Sequence, residues 1–246
     1  MKEILQKSLP YDVLAPRPLP GIQPLDMADW LRRDEAFNGQ MARRDVLIAT
    51  KAETVLALSE EARPAAEELL DTVLTAAYPT AGDRIQRPDG VTVEVDRRQP
   101  MRTLGRLVQE DFCILQKQGD EHVLTAAVLC FPASWTLAEK FGRPLISIHE
   151  PVASYDTDVA RRVQRLFDGV QVGRPLWRFN ALWYADAELH QPRSIHNRRR
   201  VPVPEDAGFL RSEKQSILRL PQSQAVVFSI HTYVIARADA PRVPGH

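Results

Sequence analysis

Two pairs of strand-like runs constrain this chain more than any other feature. Asp111–Gln118 and His122–Phe131 are apolar runs on either side of Gly119-Asp120, a two-residue step of the kind that closes a tight hairpin. Phe209–Leu220 and Ala225–Ala236 repeat the arrangement around Pro-Gln-Ser-Gln. Strands joined so briefly pair antiparallel, because a parallel pair needs a crossover of a dozen or more residues. A further run, Leu176–Ala185, is aromatic and alternating, which suits a pleated, half-buried surface. Helical spacing occupies other stretches. Ala65, Leu69, Leu70, Val73 and Leu74 follow Ser59-Glu-Glu, and Val159, Val163, Leu166, Phe167 and Val170 form a stripe opposite Arg161, Arg162 and Arg165. The order helices, hairpin, helices, strand, hairpin predicts an α+β fold. It has about five mostly antiparallel strands, flanking helices and a helical N-terminal part.

Residues 1–28 read as an arm. Pro10, Pro16, Pro18, Pro20 and Pro24 favour extended backbone draped over the body, with Tyr11, Leu14, Ile22 and Leu25 as anchors. Residues 29–246 are expected to form a single domain. Within its helical start, Leu47 and Ile48 fall in a short helix and Val55, Leu56 and Leu58 in another segment, and Tyr78-Pro79 ends the long one. A Pro-Asp-Gly turn at 88–90 precedes the alternating strand 91–96. Lys+Arg and Asp+Glu both number 32, so a general electrostatic footprint for nucleic acid or an anionic membrane is absent. No apolar stretch reaches the roughly 20 residues that span a bilayer, and the N-terminus carries no secretory h-region. The two cysteines, Cys113 and Cys130, are too few for a disulfide framework or a Cys-ligated cluster and read as small buried hydrophobes. The expected compartment is the cytoplasm.

Chemistry concentrates in Phe131–Tyr155, where His149 stands between an apolar run and a Glu-Pro step. Neutral imidazole is a metal ligand or a general base; a buried histidine bonded to backbone is the plainer alternative. Nucleotide-loop, zincin and hydrolase-elbow motifs are absent. Arg178 and Asn180 are two apart on a strand and share a face, with Trp177, Phe179 and Trp183 on the other. Arg211, Glu213 and Gln215 do the same, so one sheet face lines a polar cavity or is solvated. A buried Arg178 demands an anionic partner, either Glu213 or a ligand carboxylate or phosphate. The basic run Pro192–Arg200 reads as a solvated loop, and His231 is kept as a reserve ligand.

VQEDFCIL (108–115), CFPASWTLAEKFG (130–142), IHEPV (148–152), Arg178-Phe179-Asn180 and RSEKQSILRLP (211–221) come in one order. With them the chain resembles the haem-dependent oxidative N-demethylase alpha-subunit-like family over about residues 40–236. The resemblance implies a PAS-like antiparallel sheet that holds haem b. It implies a monooxygenase subunit that uses dioxygen to N-demethylate a small secondary amine such as dimethylamine, releasing formaldehyde and a primary amine. Electrons would come from NADPH through FMN and an iron–sulfur cluster on a separate reductase subunit, since this chain has neither a dinucleotide fingerprint nor cluster cysteines. His149, in the family's His-x-Pro-Val run, is the expected iron ligand. Lys140, Arg178 and Arg211 are expected to pair with the propionates, with Trp135 a further cofactor contact. Glu213, Arg178 and Asn180 are the expected catalytic set, Glu213 orienting the amine or relaying protons. Ala153 stands where the family usually has proline. Ala181 stands where it usually has tryptophan, which predicts a reshaped pocket wall. A non-catalytic PAS-like haem or small-ligand sensor is the alternative that fold alone does not decide.

Overall fold

The computed structural model describes residues 3–15, 21–80, 82–149, 157–194, 196, 197, 202 and 206–241, with backbone alone for 149 and 157–161. The first half runs β1 (Gln23–Pro24), α1 (Phe37–Thr50), α2 (Ala52–Val55), β2 (Leu56–Leu58), α3 (Arg63–Ala77), β3 (Arg84–Gln86), β4 (Thr92–Glu94) and α4 (Pro100–Leu107). A hairpin follows, β5 (Asp111–Gln118) and β6 (Glu121–Val128), then three helices, α5 (Leu137–Lys140), α6 (Leu145–His149) and α7 (Thr157–Gly169). The chain closes with β7 (Leu176–Tyr184), β8 (Phe209–Arg219) and β9 (Val226–Ala236).

Both expected hairpins form. Gln118 pairs with Glu121 across a two-residue loop whose Gly119 takes φ +61°, a conformation glycine adopts without steric cost. β8 and β9 pair from Phe209–Ala236 to Arg219–Val226. Among the described residues the main sheet has seven strands, all antiparallel, in the order β1-β7-β8-β9-β5-β6-β2. The expected count of about five is therefore corrected to seven. The added strands lie at the edges and span two and three residues, too short to carry a period-2 signal. Leu56 and Leu58, expected in a helical region, pair instead with Val128 and Ala126 of β6. α1 is 14 residues long rather than short. The expected 91–96 strand shortens to Thr92–Glu94 and pairs with β3 in a ribbon apart from the sheet.

The pleat sends alternate residues to opposite faces, and both faces are covered. On one, Phe112, Ile114, Leu218 and Val227 pack with Leu47 and Ile48 of α1, Leu69, Leu70 and Val73 of α3, and Leu104 of α4. Each such leucine, removed from water, contributes roughly 1.5–3 kcal/mol. α4 sits close because it carries Gly105, where a Cβ would lie 2.7 Å from both Ile48 Cδ1 and Val128 Cγ2. On the other face Cys113, Leu115, Leu124, Ile217 and Ile230 pack with Leu137, Leu145, Ile148 and Phe167 from α5, α6 and α7. Cys113 and Cys130 are free and buried, and burial pushes both thiols up to about 12. The arm lies along the first face. Gln6 pairs with Ile235, the Tyr11 ring stacks on Phe179 at 4.4 Å, and Leu25 is buried, whereas Leu14 is exposed. Among the described residues no helix is long and apolar enough to cross a membrane.

Candidate functional site

The polar face expected on β7 and β8 forms, buried at Arg211 and Glu213 and half-buried at Arg178, Asn180 and Gln215. Asn180 lies opposite Glu213, which lies opposite Thr232 of β9; Arg178 lies opposite Gln215 and Leu182 opposite Arg211. Directly opposite residues share a face, so these side chains belong to the side that α5, α6 and α7 cover. Glu213, Arg211 and Thr232 are buried. Asn180 Nδ2 and Gln215 Nε2 each donate to Glu213 Oε2 at 3.1 Å, and the Glu213 amide donates to Asn180 Oδ1 at 3.1 Å. Glu213 is thus fixed from two neighbouring positions.

Cations gather around this carboxylate. Desolvation pushes the Arg178 guanidinium below its usual pKa, against the pull of Glu213, and its Nε is buried with no hydrogen-bond partner. Arg211 spends both terminal nitrogens on backbone, Nη1 on Leu189 O at 2.9 Å and Nη2 on Phe131 O at 2.7 Å. Its Nη2 stands 3.6 Å from Glu213 Oε1, and its Nε has no partner. Lys140 Nζ lies 4.5 Å over the Trp135 ring, and burial draws its pKa down to about 8 against the carboxylates of Glu139 and Glu213. The Thr232 hydroxyl is buried without a partner as well. Buried N–H groups left unpaired beside a single carboxylate call for an anionic ligand.

The wall over this face starts where β6 ends. Pro132–Ser134 runs beside the 186–194 loop: Ala133 pairs with Gln191, the Ser134 amide donates to Gln191 O at 3.0 Å, and the Gln191 amide donates to Pro132 O at 3.2 Å. Ser134 takes φ +68° with its hydroxyl buried and unpartnered, and Arg193 Nε in the 186–194 loop is likewise unpartnered. Gly142, at φ +73°, turns the chain back so that its amide donates to Leu124 O at 2.9 Å. Leu145 and Ile148 then bury α6 against β6. His149 ends α6, and its side chain, Glu150 and residues 151–156 (with Ala153) lie outside the described residues. So does most of the Pro192–Arg200 run beyond 194.

A family model described as haem-dependent oxidative N-demethylase, alpha subunit-like, matches residues 21–245. The chain belongs to this family. Its name implies haem, and the described residues suit that group. The unpaired guanidinium N–H groups of Arg178 and Arg211, with Lys140 near them, suit its two carboxylates. Among the described residues no cluster of three His, Cys, Asp or Glu side chains is placed to hold a metal ion, but a haem iron asks the protein for axial ligation only. One departure from the family pattern has a different meaning than expected. Ala181 lies opposite Ser212, on the face with Trp177, Phe179 and Lys214, so it faces away from the polar site and reshapes no wall of it.

The reserve ligand is also corrected. His231 is buried on β9 with Nδ1 2.8 Å from Glu110 Oε1 and Nε2 2.9 Å from Asp34 Oδ2, so neither nitrogen is available to a metal. Burial disfavours the imidazolium, but Glu110 and Asp34 outweigh it and hold the pKa up at about 9. Burial likewise opposes ionisation of Asp34, yet His231, Gln109 and Gln6 bring it down to about 2. A raised histidine pKa contributes stability that is complete below the unfolded value of 6.5 and is lost as pH rises through about 9. Lys140 and Lys214, both drawn down to about 8, work in the opposite sense above that pH. The stability difference between the wild type and His231→Gln, from urea unfolding, should therefore shrink between pH 6.5 and 9. A difference independent of pH would show that His231 is not a buried imidazolium.

Proposed function

We propose that this chain is the haem b-binding, oxygenating subunit of a cytoplasmic oxidative N-demethylase that acts on a small secondary amine and releases formaldehyde. The observation that carries the reading is the set of desolvated cations around Glu213, Lys140 with Arg178 and Arg211, each arginine keeping a buried, unpartnered Nε, in a member of this family. The five long strands lie in the order β6-β5-β9-β8-β7, which supports a PAS-like sheet. Arg178 and Lys140 would hold the propionates, Arg211 would contribute through Nε, Trp135 would contact the group and His149 would ligate its iron. Haem, when bound, supplies the oxidation of a C–H bond next to nitrogen by dioxygen, which no side chain can perform. The chain's own part is placement and proton handling. Glu213, steadied by Asn180 and Gln215, orients the amine nitrogen and accepts its proton, while Arg178 balances the charge. The surrounding apolar residues keep water out. Electrons would arrive from NADPH through a separate flavin and iron–sulfur subunit; the family's alpha-subunit name supports the existence of further subunits.

The test is an absorption spectrum of protein expressed with a haem precursor, followed by amine turnover with a reductase. A Soret band that moves on reduction, together with amine-dependent formaldehyde, is the expected result. A Soret band with ligand binding and no product would make the chain a haem sensor instead. No band after haem titration would sink the reading.

A further inference from the structure

The peptide groups of Phe131 are gripped from both sides by buried charges on two central strands. From β5, Asp111 accepts the Cys130 amide on Oδ1 at 2.8 Å and the Phe131 amide on Oδ2 at 2.7 Å. From β8, Arg211 Nη2 donates to Phe131 O at 2.7 Å and Nη1 to Leu189 O at 2.9 Å. β6 has ended at Val128, so no sheet partner serves these groups, and buried backbone must be paired somehow. Hydrogen bonds to ionised groups are shorter and stronger than neutral ones. The planar guanidinium fork also ties two chain segments at once: the start of the 131–149 segment and the 186–194 loop that runs beside it through Gln191. Everything above the polar face, from Trp135 through Lys140 to His149, continues from this fixed point.

We infer that Asp111 and Arg211 are positioning residues, a clamp on Phe131 that sets the register of the segment carrying Trp135, Lys140 and His149. The part of this that concerns haem rests on the proposed function; the clamp itself does not. It gives Arg211 a role beyond that of one more cation for a propionate. A lysine would keep the charge but replaces the fork with a single point donor, so local exchange in haem-free protein, where no propionate is present, separates the two roles.

Asp111→Asn also takes the counter-charge from buried Arg44, with which Asp111 pairs at 2.7 Å, so the decisive variant is Arg211→Lys. Hydrogen exchange read by mass spectrometry on haem-free protein should rise about tenfold or more in peptides covering 131–141 and 186–194. Peptides of β5, β8 and β9 should keep wild-type protection. In the haem-loaded protein, Arg211→Lys should bind haem about tenfold more weakly and shift the Soret maximum, changes that a general loss of stability would not produce in the folded fraction. Unchanged local exchange would overturn the clamp. Local exchange that rises while haem affinity and the Soret position stay at wild-type values would overturn its positioning role. Should the wild type itself take up no haem, the proposed function fails, and the exchange comparison alone decides the clamp.

Discussion

Arg44→Ala is expected to destabilise the protein by about 3–5 kcal/mol, the range for breaking a buried ion pair from one side. Arg44 has no solvent exposure and uses its whole guanidinium. Nε donates to Gly105 O at 2.8 Å, Nη1 to Gln109 O at 3.1 Å and Asp111 Oδ1 at 2.7 Å, and Nη2 to Glu110 O at 2.8 Å. Its guanidinium also lies 5.4 Å from the Phe131 ring centroid. Alanine leaves three carbonyls and a carboxylate buried without their donor. The two amides that Asp111 accepts from Cys130 and Phe131 persist, which keeps the loss from running higher. In a chain of this size the change should lower the thermal midpoint by roughly 10 °C. Urea unfolding of wild type, Arg44→Ala and Arg44→Lys checks it, with the lysine variant between the other two. A loss under about 1 kcal/mol for alanine would mean that water replaces the guanidinium and that the pair is not a buried one.

The long strands are legible in the sequence because their causes are local. Gly119-Asp120 supplies the turn, and period-2 alternation by itself places Arg178 with Asn180 and Arg211 with Glu213 and Gln215. The same parity assigns Ala181 to the opposite face, and it outweighs the family comparison that pointed to a change in the pocket. What covers a face is a different matter. Arg211 and Glu213 are buried because other segments lie over that side, and nothing in strand alternation reports a neighbouring layer. β1 and β2 escape detection for a related reason, since two or three residues take extended form only when an edge is offered to them. His231 reads as a free donor because Glu110 and Asp34 reach it from 121 and 197 positions away. The pairing of Asp111 with Arg44, 67 positions apart, is equally hidden, although an acidic pair opening an apolar strand is a usable signal: a buried carboxylate has to find donors.

His149→Ala is expected to remove most bound haem, an order of magnitude or more per chain, while leaving the fold intact. The packing argument for the second half is direct. Leu145 and Ile148 bury α6, and Ile148 N donates to Pro144 O at 3.0 Å, while the preceding turn is fastened by Gly142 N to Leu124 O at 2.9 Å. None of these uses the His149 side chain, so truncation at the end of the helix should spare them. The argument for the first half is the family motif, joined to the contacts that already engage other histidines. His231 has both nitrogens taken, His122 Nδ1 faces Gln164 at 2.9 Å in the contact with α7, and His190 Nδ1 meets Cys130 O at 2.8 Å. His196 is exposed. His149 combines the His-x-Pro-Val run with a backbone placed at the end of α6, the helix that packs against β6. Haem per chain by pyridine haemochrome, with circular dichroism as the control for folding, gives the measurement. A fall in haem with an unchanged melting curve would give His149 the axial role. An unchanged Soret band would take that role from His149 and leave only Lys140, Arg178 and Arg211 as the chain's hold on the cofactor.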